Sequence, residues 1–218
     1  MGTYAISKQT KEDLINAAGE LVAELGFSNV STRAIANKAG QNIGSIHYHF
    51  KSKENLFQAV IRSATQTVRD KPLADVIKAH ESELNVPKGQ SLLLRRIIRL
   101  LIRDLFVIER PWWHSQILYQ VLRAEENLLK ILRDEVIKPE STALEKLFFF
   151  IDPTMDQEDV FIQTLLTMLP IIYHAENEKN VLELMNKKTY TSQYLQKLED
   201  KIVLQNQLLL GLPPDKQV

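Results

Sequence analysis

The sequence predicts an all-α chain with two parts: a short-helix N-terminal domain and a larger C-terminal domain of longer helices. Three observations carry this. Apolar residues recur at intervals of three and four throughout, and no stretch shows the strict alternation of a half-buried strand. Glycine is scarce, 7 in 218 residues, and stands where helical patterns stop. Prolines at 72, 87, 111, 139 and 153 punctuate the remainder, with amphipathic runs between them.

The elements follow in order. A first helix is expected from Thr10, with Asp13 three residues on as a capping-box variant; Leu14, Ala18, Leu21, Val22 and Leu25 make one face and Gly26 stops it. Ser31 or Thr32 caps a short second helix carrying Ile35, Ala36 and Ala39 and ended by Gly40. Asn42 caps a short third, with Ile46 and Phe50 one turn apart on its buried side, and Ser52 caps a fourth through Leu56, Phe57, Val60 and Ile61. The pair bracketing Gly40 has helix-turn-helix spacing. A change of style near residues 65 to 75 puts the domain boundary at 1–65 and 66–218. Beyond it lie the amphipathic runs LLLRRIIRLLIRDLFVI and ILYQVLRAEENLLKILRDEVI and a helix from about Glu140. A helix over about 156 to 175 is apolar almost all round, with a kink expected at Pro170. The last helix runs from about Ser192 and is ended by Gly211 and Pro213-Pro214.

Composition excludes several functions. Basic and acidic residues balance at 27 each, so any electrostatic partner must be met by a local patch. The absence of cysteine removes disulfides, thiolate metal sites and cysteine nucleophiles. The N-terminal MGTYAISKQTKEDL holds no apolar run suited to a signal peptide. The most hydrophobic segment, Val160 to Tyr173, contains Gln163, Thr164 and Thr167 and is shorter than the ~20 residues of a membrane helix. The expectation is a cytoplasmic protein with no membrane partner and no cofactor.

The stretch QNIGSIHYHFKSKENL, residues 41 to 56, is the densest in chemistry. As a metal site it fails: on a helix His47 and His49 point about 200° apart, whereas chelation wants a spacing of three or four. No nucleophile or carboxylate pair lies near enough in sequence for catalysis. With Ile46 and Phe50 inward, Gly44, Ser45 and Tyr48 face outward and His47 and His49 flank them. Small, hydroxylic and aromatic residues on one outward face suit a helix pressed into a nucleic-acid groove. From Ser31 to Lys53 there are Arg33, Lys38, Lys51 and Lys53 and no acid, a local basic patch in a neutral chain. The competing reading is a solvated polar face.

The run STRAIANKAGQNIGSIHYHFKSKENLFQAVI resembles the DNA-binding region of the TetR family of bacterial transcriptional regulators over roughly residues 10 to 62. The matching features are Gly26-Phe27, Ser31-Thr32-Arg33, Ile35-Ala36, Ala39-Gly40, Gly44, Ile46, an aromatic triplet ending at Phe50, and Lys53. The resemblance implies a homodimer that places each third helix in the major groove of a double-stranded operator. It also implies a C-terminal dimerisation and ligand domain whose small-molecule effector releases a repressor. Carried over, Thr32 and Arg33 contact DNA from the second helix, Gly44, Ser45, His47, Tyr48 and His49 from the third, and Lys53 clamps a phosphate. Gln41 and His47 depart from the family pattern, in the turn and at a usual tyrosine. Ile43 stands where polar residues are common; it either packs beside Ile46 or meets a thymine methyl.

The C-terminal domain is less specific. The helices over 156–175 and 192–210 suit a dimer interface, with Phe161, Leu165, Leu195, Leu198, Ile202 and Leu209 as its residues; the alternative is a helix central to a monomer. Trp113, His114 and Tyr119, with Met168, Tyr173 and His174, combine apolar walls and polar groups as ligand sites do. Ordinary core with satisfied histidines is the competing account. The stripe Arg95, Arg96, Arg99 and Arg103 suits an anionic effector or a salt-bridged face. Two other functions stay open. One is a DNA-binding protein without an effector, which would lack a ligand-sized cavity. The other is a small helical enzyme using His114 or His174, opposed by the lack of any triad or carboxylate pair.

Overall fold

A computed structural model describes the backbone of residues 2–65, 72–106, 111–122 and 124–215, and their side chains except at 2–5, 115, 118 and 119. All regular elements among them are helical. In chain order these are α1 (Gly2–Leu25), α2 (Thr32–Lys38), α3 (Ile43–Phe50), α4 (Lys53–Thr65), α5 (Leu73–Ala79), α6 (Pro87–Phe106), α7 (Trp113–Val121) and α8 (Glu126–Leu132). After a π-helical turn at Arg133–Ile137 come α9 (Lys138–Ile151), α10 (Gln157–Glu176), α11 (Glu178–Leu184) and α12 (Ser192–Leu209). No helix among the described residues is long and apolar enough to cross a membrane.

The chain forms two compact units, residues 1–66 with 110–137, and 67–109 with 138–218. The cut expected at 65/66 is therefore a division in sequence. In space, α7 and α8 join the N-terminal helices, because α1 and α4 together offer the surface on which they pack.

In the first unit α1 packs on α2, α4 and α7, and α4 on α3, α7 and α8. Their core is Leu14, Ala18, Val22, Ile35, Ile46, Leu56, Val60 and Ile61, with Trp113, Ile117 and Val121 from α7. Helix α1 begins eight residues before the expected Thr10: Asp13 is a mid-helix residue that accepts from Gln9 Nε2 at 2.9 Å and does not cap. Gly19 sits where α1 meets α7, and a Cβ there would lie 2.5 Å from Trp113 Cδ2 and Cε3. The run ILYQVLRAEENLLKILRDEVI, periodic enough for one helix, is divided between α7, α8 and the π-helical turn. Arg62, in the last turn of α4, forks Glu135 in that turn through Nε and Nη2, both at 2.8 Å.

The second unit places α6 against α10 and α12, and α9 against α5 and α10. Its core holds Leu73, Leu94, Ile97, Ile98, Leu144, Phe148, Val160, Ile171, Ile202 and Val203. Helix α10, capped by Asp156, continues through Pro170 to Glu176. Its inward face includes Gln163, Thr164 and Thr167, all buried. Gln163 Nε2 donates to Asn206 Oδ1 of α12 at 2.7 Å, and Thr167 Oγ lies 2.7 Å from the same atom. Three arginines of the α6 stripe, Arg95, Arg96 and Arg99, are salt-bridged. Arg95 donates to Glu199, Asp200 and Asp215, Arg99 to Glu199, and Arg96 to Glu83.

Candidate nucleic-acid interface

Helix α2 starts because the Ser31 hydroxyl accepts the Ala34 amide at 3.1 Å. It stops at Gly40, whose φ of +63° is open to glycine at little cost. There the Gly40 amide donates to Asn37 O and that of Gln41 to Ala36 O, at 3.2 and 2.9 Å. This pair of bonds is a Schellman stop. It is complete with Gln41 half-buried in the turn, so the apolar residue usual there is not needed to form it.

Helix α3 then starts at once, Asn42 Oδ1 accepting the Gly44 amide at 2.8 Å. Ile46 and Phe50 are buried, which fixes the helix's rotation and turns the rest outward. Tyr48 is 70% exposed and Ile43 53%; Gly44 and His47 are exposed, and Ser45 and His49 half-buried. Ile43 therefore belongs to the outward row, not to packing beside Ile46. A Cβ at Gly44 would meet only Asn42 Oδ1, at 3.4 Å. Nothing in the fold demands glycine there, and its bareness benefits only what approaches from outside.

The corner into α4 is tightly held. Lys51 adopts φ +69°, uncommon for a residue with a side chain, and its amide donates to His47 O at 3.0 Å. Ser52 Oγ accepts the Asn55 amide at 3.1 Å, and Asn55 Nδ2 donates to Phe50 O at 2.9 Å. Lys53, the first residue of α4, rests its ammonium 5.2 Å from the Phe57 ring centre, at the positive end of the α4 dipole.

The basic patch needs one correction. Lys38 is bound to Glu20 of α1 at 2.9 Å, and hydrogen bonding to that carboxylate raises its pKa. Its charge is matched inside the protein, leaving Arg33, Lys51 and Lys53 of the four. Thr32 is half-buried and Arg33 exposed, both in the first turn of α2.

The expected ligand residues divide between the two units. Trp113, 1% exposed, is core of the first unit, filling the space over Gly19. His114 lies edge-on to it with ring centres 4.1 Å apart, and the Tyr119 side chain is outside the described residues. In the second unit Met168 is partly buried against the core and Tyr173 is exposed. His174 has both ring nitrogens engaged. Nδ1 donates to Pro170 O at 2.6 Å, and Nε2 lies 2.9 Å from the Tyr194 hydroxyl. Tyr190, stacked on Tyr194 at 5.3 Å, has its hydroxyl pKa pushed up by burial to about 12. An open cleft of about 750 Å³ lies instead along α9 and α10, lined by Glu145, Phe149, Gln157, Val160, Phe161 and Ile162.

Of the expected interface residues, Phe161 and Leu209 are exposed and Leu165, Leu195 and Leu198 half-buried, while Ile202, 3% exposed, faces its own core. The structure adds residues that periodicity alone does not mark: Ile162, Leu166 and Leu169 on α10 and Leu204 and Leu208 on α12 are all exposed. Helix α10 is thus mixed inward, where Gln163, Thr164 and Thr167 are buried beside Val160 and Ile171, and apolar outward.

Residues 14–60 match the family described as bacterial regulatory proteins, tetR family. The chain is 38% identical over 55 residues to the HTH-type transcriptional regulator UidR of Escherichia coli K12, spanning 25% of this chain and 28% of that one. It is 50% identical over 52 residues to the HTH-type transcriptional dual regulator CecR of Shigella flexneri, spanning 24% and 23%. These alignments thus cover about a quarter of each relative's length. Along nearly the whole chain, 96% of this one and 100% of the other, the fold is similar to that of NalD, with a TM-score of 0.64 at 18% identity. NalD is the secondary repressor of the MexAB-OprM multidrug efflux pump in Pseudomonas aeruginosa.

Proposed function

The chain belongs to the TetR family of bacterial regulatory proteins, and on that premise we propose that it is an effector-responsive repressor that binds a two-fold symmetric DNA operator as a homodimer in the cytoplasm. The observation that supports this most is the outward face of α3. Two buried anchors, Ile46 and Phe50, turn Gly44, His47 and Tyr48 outward, with Ser45 and His49 half-buried beside them. Tyr48 and Ser45 then meet base edges or sugar–phosphate, and the bare Gly44 lets the backbones approach. Thr32, Arg33 and Lys53 hold phosphates on either side, which sets register without reading sequence. Half-sites lie about one DNA turn apart or somewhat more.

Dimerisation uses the outward apolar rows of α10 and α12. Contiguous exposed apolar rows mark an interface, and a two-fold pairing covers both copies at once. The effector binds among the helices of the second unit and favours one of two dimer states, shifting α4 and with it the spacing of the two α3 helices. Scattering profiles of the dimer that stay identical with and without an inducing compound would remove that hinge.

The test is selection of bound duplexes from a random pool by the purified chain, with Tyr48→Ala and Lys53→Ala in parallel. The expected result is an enriched palindrome, whose sequence shifts for Tyr48→Ala. For Lys53→Ala the sequence stays the same but binding weakens, with a salt slope lower by about 1 per contact. No enrichment above a salt-sensitive background would end the operator reading.

A further inference from the structure

We propose that Lys11, on α1 and outside the helix-turn-helix, is a further phosphate-binding residue that extends the DNA contact around the C-terminal end of α3. The inference rests on the DNA reading above and comes from sorting the lysines by partner. Lys8 reaches Glu12 at 3.9 Å and Lys38 holds Glu20 at 2.9 Å, so both charges are matched within the protein. Lys11, Lys51 and Lys53 form no salt bridge among the described residues, although the charge of Lys53 is felt by Glu54 beside it.

These three come from separate places to one corner. Lys51 follows the last residue of α3 and Lys53 opens α4. Lys11 arrives from α1, its ammonium 5.9 Å from the ring centre of Phe50, the last residue of α3. Both Lys11 and Lys53 therefore sit over core phenylalanines, one on Phe50 and one on Phe57. That seating restrains a flexible stem and leaves the ammonium's hydrogens for another acceptor. Of the nearby carboxylates, Glu12 reaches Lys8, Asp13 accepts from Gln9, and Glu54 is held first by its own amide and Ser52 and only then by the charge of Lys53. Three cations outside any salt bridge, at the edge of a helix laid in a groove, fit the phosphate row that borders the groove.

The experiment titrates the full-length chain against two duplexes, the sequence enriched by selection and its shuffled counterpart, across a salt series by fluorescence anisotropy. Lys11→Met keeps the apolar stem over Phe50 and drops the charge, Lys11→Arg keeps the charge, and Lys38→Met is the control for a matched lysine. Expected for Lys11→Met is a slope of log K against log salt shallower by about 1.8 for the dimer, at about 0.9 per contact. Each lost contact is about fivefold at 0.15 M salt, so binding weakens roughly 30-fold on both duplexes alike. Lys11→Arg restores it and Lys38→Met leaves the slope unchanged. A Lys11→Met protein with the wild-type slope, whatever its melting temperature, overturns the proposal and leaves Lys11 as cover for Phe50. Wild-type protein that shows no salt-dependent binding to either duplex overturns the DNA reading itself, and this inference with it.

Discussion

Gly19→Ala is the substitution for which elementary helix propensity and the packing of this protein give opposite signs. In a 24-residue helix such as α1, replacing an interior glycine by alanine is worth about 1 kcal/mol of stability. The added Cβ would, however, lie 2.5 Å from Trp113 Cδ2 and Cε3 and 2.7 Å from Cε2. Carbon atoms prefer about 3.5–4.0 Å, so the indole or α7 must move by about 1 Å. Trp113 is 1% exposed and has no solvent to retreat into. Overpacking of a closed core costs about 1–3 kcal/mol, and an aromatic edge met by a helix backbone belongs at the upper end. The expected net change is a loss of about 2 kcal/mol, or about 4–8 °C in melting temperature for a chain of this size. Thermal unfolding followed by circular dichroism reads it directly. The cause is isolated by a double-mutant cycle with Trp113→Phe, whose smaller ring vacates part of the overlap. Gly19→Ala should then cost at least about 1 kcal/mol less in the Trp113→Phe background than in the wild type. Stabilisation by Gly19→Ala with no coupling to Trp113→Phe would refute the packing, and Trp113 would return as a candidate wall for a ligand.

Two further outcomes follow from the second unit. Arg95→Met should destabilise the chain by about 3 kcal/mol at neutral pH, as removing one partner of a buried ion group does, because it leaves the Asp215 carboxylate with Gln207 and the buried Glu199 with Arg99. Burial disfavours both charges, but hydrogen bonds from Arg99 and Arg95 to Glu199, and from Arg95 and Gln207 to Asp215, hold both pKa values below their ordinary range. The stability they contribute is thus present above the unfolded values near 4.5 and 3.8 and lost as pH falls through the folded ones. Melting temperature against pH should therefore drop in acid for wild type and drop less steeply for Arg95→Met, which keeps Arg99 and Gln207; parallel curves would contradict the assignment. Leu208→Glu, on a side chain 73% exposed in one copy, should leave the fold of each chain intact and convert a dimer to monomer in sedimentation. Each substitution occurs twice across a two-fold interface, so about 2 kcal/mol per buried carboxylate is roughly a thousandfold in Kd. A Leu208→Glu protein that still sediments as a dimer would move the interface elsewhere.

What is legible in the sequence is what is settled within a few residues. Ser31, Asn42 and Ser52 each cap an amide two or three positions on, and Gly40 closes a stop made with Ala36 and Asn37. The α2–α3–α4 corner follows from its residues alone for that reason. The first turns of α1 escape the same reading because residues 6–12 contribute nothing to the buried core, and periodicity is silent where no face is apolar. Trp113 resembles a ligand wall in the sequence since its partner, Gly19, lies far back in the chain and is marked by having no side chain at all. Helix α10 shows the limit most clearly. Its apolar residues suggest packing on both sides, yet the buried side includes Gln163, Thr164 and Thr167. They are tolerated there because Asn206, some forty positions later, lies within hydrogen-bonding distance of Gln163 and Thr167. With Gln163, Thr164 and Thr167 satisfied on the inward side beside Val160 and Ile171, Leu166 and Leu169 are left outside. The hydrophobic pattern of α10 is shared between a buried side that is partly polar and an outward side that is apolar, which is why that pattern, read on its own, points to the helix and not to the face.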